Sequence, residues 1–109
     1  MDDITLKVYA SDMEQVEKEC VANTVTIPFG IVRKFMKLFN VDTLNDTTEI
    51  LKIVMNSWDE VLEILQRIFP EIQENEWDRV DIKELVSVLF QLMKKMAKEL
   101  LAIPTDSKN

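Results

Sequence analysis

The chain has 109 residues, enough for one domain with a modest core, and carries a formal charge of −7 with 47% apolar and 30% charged residues. That balance belongs to a folded chain rather than a disordered one, and an acidic surface repels phosphate backbones, so nucleic acid is not an expected partner. With no His, one Cys and one Gly, the chain lacks the residues of a zinc site, an intrachain disulfide, an activated thiol or a glycine-rich phosphate loop.

The N-terminus is acidic and has no apolar core of a secretory signal; the unpaired Cys20 fits a reducing compartment. Ile4, Leu6 and Val8 alternate with Thr5, Lys7 and Tyr9, a period of two that predicts a short strand. Ser11 and Glu14 have the spacing of a capping box, so a short helix is expected over 12–21, with Met13, Val16 and Cys20 on one face. Ala22 and Asn23 break it. The β-branched run Thr24 to Ile27 predicts a second strand paired with the first, and such a ribbon must lie on a helix to be stable.

Pro28 suits the first turn of the next helix, where a missing N–H costs nothing. Ile31, Val32, Phe35, Met36, Leu38 and Phe39 form its stripe, opposite Arg33, Lys34 and Lys37. A polar connector covers 40–46. Asp46, with Glu49 three residues on, caps a helix predicted to run from Thr47 to Phe69. Its apolar residues, turned by 100° each, cover roughly 200° of the surface, twice what a helix with one wet side requires. Such a helix is expected to be central, with partners on at least two sides. Asp59 and Glu63 share its solvated stripe.

Pro70 stops that helix. The acidic stretch 71–81 predicts a loop with a turn of helix around Trp77. It lacks the alternating oxygen ligands and the glycine of a calcium loop, so no metal or other cofactor is expected. Asp81 and Glu84 open the last helix, Ile82 to Ile103, and Pro104 ends it. Lys94, Lys95 and Lys98 complement the dipole at its last turns. Val88, Phe90 and Leu101 fall at or beyond the edges of its apolar face. No apolar run reaches the length of a membrane span. The expected fold is mainly α: about four helices with a possible short N-terminal two-stranded β-ribbon, one domain over 1–103 and a flexible polar tail over 104–109.

Surplus apolar surface without catalytic chemistry points to a protein that holds another protein, not to an enzyme. The soft Met residues suit varied apolar partners. The expected contacts for a client or for self-association are Val88, Phe90, Met93, Met96, Leu100 and Leu101, with Trp58 and Phe69 in the core.

The order of elements resembles the tail assembly chaperones of long-tailed bacteriophages, including those infecting Gram-positive bacteria. Ile4 to Tyr9 looks like their N-terminal strand, and Ile27 to Lys34 like their proline-and-basic segment. Ile68, Phe69 and Pro70 look like the end of their long helix, and Val80 to Leu85 like the entry to their last one. Trp77 stands where the family often has Phe-Thr, while Pro70 and the lack of a Gly after Asp78 depart from its pattern. The resemblance spans about residues 4–103. It implies a homo-oligomerising protein of the infected cell's cytoplasm that binds the long apolar helices of the tape measure protein and is absent from the mature virion. Two other readings remain beside it: a tail completion or connector protein that stays in the particle, and a small acidic helical regulatory adaptor.

Overall fold

The computed structural model describes residues 3–40 and 46–101, with the side chains of 99–101 left out. The architecture is mainly α with a two-stranded antiparallel ribbon. Strand β1 (Thr5–Tyr9) pairs with β2 (Val16–Val21), and four α-helices follow: α1 (Phe29–Leu38), α2 (Thr47–Asn56), α3 (Trp58–Ile68) and α4 (Ile82–Leu101). A 3₁₀ helix, Glu74–Arg79, precedes α4. The proposed polar tail over 104–109, the end of the last helix at Ile103, and most of the 40–46 connector lie outside the described residues.

The strand β1 forms where its alternation placed it, with Leu6 and Val8 fully buried. Its partner is a correction. Residues 16–21 form β2 rather than the second half of a helix, and 24–27 form no strand. The register pairs Thr5 with Val21, Leu6 with Cys20 and Val8 with Lys18, then slips between Val8 and Tyr9. Cys20 sits opposite Leu6 and is likewise buried.

Turn chemistry explains the switch. The Asp12 carboxylate accepts the N–H groups of Glu14 (2.9 Å) and Gln15 (3.3 Å). It therefore closes a hairpin turn, where the Ser11 and Glu14 pattern suggested a helix start. Ala10 N–H to Gln15 C=O (2.8 Å) completes the turn. The Thr24–Ile27 segment does not pair with β1, which has β2 as its partner and a bridge from Val8 to Val80. Val25 consequently stands in solvent.

Met13 holds φ at +60° in this turn, the only non-glycine residue of positive φ among those described. An L-side chain there costs about 1 kcal/mol that glycine does not pay. Met13→Gly is expected to raise stability by up to about 1 kcal/mol, read as a higher urea midpoint at unchanged slope.

The ribbon lies on α4 and on the 3₁₀ helix. Tyr9 donates its hydroxyl to Glu84 at 2.5 Å. Arg79 reaches back to the Tyr9 carbonyl (2.8 Å) and to Glu17 (3.1 Å). Lys18 pairs with Glu76 at 2.7 Å. The Gln73 backbone N–H, then Lys18, hold the Glu76 carboxyl below its ordinary value of 4.5. A lowered carboxyl favours folding at pH above its unfolded value and loses that contribution as pH falls through its folded value. Glu76→Gln is therefore expected to flatten the acid limb of the stability curve below about pH 4.5 while leaving its shape near neutrality, measured by urea titrations across pH.

The turn of helix expected around Trp77 is present as the 3₁₀ helix, and Trp77 is buried. Its ring meets Trp58 and Phe69 edge-on, at centroid distances of 6.3 and 6.2 Å. Phe69 is fully buried, whereas Trp58 only packs against the core from its rim. Asp46 accepts the Thr48 N–H (2.9 Å) and Asp81 the Lys83 N–H (2.8 Å), so both carboxylates cap the helices as read.

The second correction is the long central helix. It breaks at Ser57, which adopts φ −125° and ψ 35°. Asn and Ser compete with the helical backbone for hydrogen bonds, and Asn56 and Ser57 fall together here. The bend lets one apolar stripe serve two neighbours: α3 packs on α1, while α2 packs on α4. The total of four α-helices thus stands, but a hairpin strand replaces one expected helix and the break supplies another.

Candidate binding surface

The sequence reading placed the sticky surface on α4. The structure moves most of it elsewhere. Val88, Met93 and Met96 are 1%, 3% and 1% exposed and belong to the core, so they offer nothing to a partner of the folded monomer. The reason is that α4 has neighbours on several sides. The β1 strand, α1 and α2 all pack against it, so its buried arc extends past the edge where Val88 was placed. The side chains of Leu100 and Leu101 lie outside the described residues.

Phe90 remains on the surface at 41% exposure, in line with its position beyond the apolar face. Lys94 Nζ stands 5.6 Å from the centroid of its ring. Ile82 is exposed two turns earlier on the same helix, and Val86 between them is half-buried. Positions i, i+4 and i+8 make this a short stripe, bordered by exposed Lys83, Lys94 and Lys98.

Larger apolar exposure lies on α1 and α2. Phe29 opens α1 with 73% of its surface free, and Met55 closes α2 with 77% free. Helix α2 has five apolar residues in ten, yet only Ile50 and Val54 are buried. Leu51 and Ile53 flank them half-covered. The 200° arc read from the sequence is thus real on this segment, and only its middle is used. Sequence reasoning missed α2 as the carrier because it treated 47–69 as one central helix with neighbours along its whole length.

A shallow cleft of about 260 Å³ opens at the break, lined by Met55, Trp58, Asp59 and Glu60 among others. A second, of about 240 Å³, lies between α1 and α3 and is lined by Arg33, Lys34, Lys37, Glu60 and Glu63. Its charges already answer one another: Lys34 meets Glu63 at 2.6 Å.

Burial pushes the Cys20 thiol above its ordinary range, against the opposing pull of Lys18. Among the described residues, no three carboxylate or thiol side chains converge as a metal site would require. Two of the acidic residues of 71–81 have structural partners, Glu76 with Lys18 and Asp81 with the α4 N-terminus. None of the described helices is long and apolar enough to cross a membrane.

No family model, curated protein or solved structure matches this chain.

Proposed function

We propose that this chain is a non-catalytic binding protein that covers apolar helices of a client, acting as a tail assembly chaperone for a bacteriophage tape measure protein. The observation that carries the reading is the unused apolar arc of α2, with Met55 77% exposed beside half-covered Leu51 and Ile53. Phe29 and Phe90 add exposed aromatic surface on two further helices. Apolar side chains spaced along a helix are what another amphipathic helix packs against. The net charge of −7 keeps a chain with such surface soluble. The work of such a protein belongs to the host cytoplasm before the tail tube polymerises. Several copies on one long client, and contacts between copies, belong to the same proposal.

Co-expression with a tape measure fragment tests it. The client is expected to stay soluble and to elute in one complex with this chain. A client that remains insoluble overturns the reading, and a stoichiometric amount of this chain in purified virions replaces it with a tail completion role.

The surface assignment has its own expected outcome. Met55→Lys with Phe29→Ser removes the two most exposed large apolar side chains among the described residues of the helices. Stability is expected to change by less than about 0.5 kcal/mol per site, because exposed positions contribute little to folding. Client retention in the same co-expression is expected to drop several-fold. Loss of retention without loss of the melting transition separates binding from folding.

A further inference from the structure

Helix α2 is held less firmly than α3, the helix it adjoins. It buries two side chains, Ile50 and Val54, where α3 next to it buries four. A single residue, Ser57, separates the two helices. The hydrogen-bond ladder almost crosses it: Ser57 N–H still donates to the Ile53 carbonyl (2.8 Å), and Val61 N–H to the Ser57 carbonyl (2.9 Å). The helical bonds from Trp58 to Val54 and from Asp59 to Met55 are not made. The Ser57 side chain does not cap α3. Straightening the break therefore restores helical bonds and sacrifices no side-chain cap.

The apolar stripe also runs in phase through the break. Ile50, Val54, Val61, Ile64, Leu65 and Ile68 recur at spacings that keep one face over five turns. Both the bent and the straight form thus have an amphipathic helix. They differ in what α2 covers. Bent, it lies on α4; straight, it continues the axis of α3 and leaves the α4 surface open.

We propose that the face of α4 now covered by α2 is a docking site for an amphipathic helix of the client, opened when α2 swings out about Ser57. The occupant is read from what sits there now: a helix presenting branched apolar side chains at i and i+4, as Ile50 and Val54 do. This deepens the function proposed above and rests on it for the identity of the client, while the opening itself is a property of this chain.

The probe is a hydrocarbon-stapled peptide with the sequence of Thr47–Asn56, fluorescently labelled and titrated into the full chain. Spin labels at Glu49→Cys and Arg67→Cys, both exposed positions, report the bend; Cys20 is buried and stays. A straight helix places these sites about 27 Å apart, and the bend shortens that distance. Replacing Asn56 and Ser57 by alanine favours the straight form by about two-fold, since Asn56 is helical in both forms and only the Ser57 change shifts the balance, and Ser57→Gly disfavours it by about two-fold. Apparent peptide affinity follows the population of the open state, so it is expected to rise and fall by the same factors. Saturating peptide is expected to move the label distance toward 27 Å. Equal peptide affinity in all three proteins, or a distance unmoved by saturating peptide, overturns the proposal. Ser57→Gly keeps the observed bend and supplies the comparison on its own if the double alanine variant does not fold. A chain that opens but leaves the tape measure fragment insoluble counts against the proposed function alone. One that retains the client without opening counts against this inference alone.

Discussion

Trp77→Ala is expected to cost about 3–5 kcal/mol, enough to leave a domain of this size largely unfolded at moderate temperature. Trp77 is 5% exposed and lies where three segments meet. Its edge-on contacts with Trp58 and Phe69 join the 3₁₀ helix to the start and the end of α3. An alanine leaves a cavity that two rigid rings and a helix cannot fill by relaxing. The indole N–H adds a contrast. It is buried and donates to nothing among the described residues. An orphan donor of this kind costs about 1–3 kcal/mol, so Trp77→Phe removes a penalty along with some packing. The phenylalanine variant is therefore expected to lose no more than about 1–2 kcal/mol. Urea unfolding followed by far-UV circular dichroism checks both. If alanine and phenylalanine cost the same, the ring contacts do not hold the fold together.

Leu6→Ala has the next largest expected effect, about 2–5 kcal/mol, although it lies in a ribbon of only two strands. A two-stranded ribbon has no independent stability in water. This one persists because Leu6, Val8 and Cys20 present a single buried face to the helices. Leu6 is fully buried, and the neighbouring Thr5 is exposed. Thr5→Ala is accordingly expected to stay within about 0.5 kcal/mol of the parent, aside from its small loss of strand propensity. Unfolding of the Leu6 variant is expected to remain one transition by both circular dichroism and tryptophan fluorescence. Two separate transitions would mean that the hairpin is an appendage rather than part of one cooperative core.

These two residues also mark how far the sequence could be read. The alternation around Leu6 was strong enough to place β1, and an aromatic in an acidic linker was enough to expect a turn of helix at Trp77. The partner of β1 was misread, because Met13, Val16 and Cys20 have a spacing that a helix and a twisted hairpin both tolerate. The deciding group was the Asp12 carboxylate, which accepts the N–H groups of Glu14 and Gln15 and closes a turn. Asp at that point of a hairpin was a legible signal, and the competing Ser11 and Glu14 pattern obscured it.

The candidate surface shows the same division. Phe90 was legible because a helix that buries one face has no reason to place a phenylalanine beside its lysines. Val88, Met93 and Met96 were not, since a buried and an exposed methionine look alike in a periodic pattern. Whether they are covered depends on the strand and helices that pack on α4. The width of the apolar arc over 47–69 signalled a surplus correctly, but its location required the break at Ser57.

What the sequence determined by itself is local: the helix starts at Asp46 and Asp81, the stripe of α1, the first strand, and a mainly α class. Each follows from periodicity or from a side chain satisfying its own neighbouring backbone. Packing alone sets which sides of α4 are covered, where the long helix bends, and which strand pairs with the first. Those depend on residues far apart in the chain meeting in space, and burial is a property of the packed neighbours rather than of the residue that is buried.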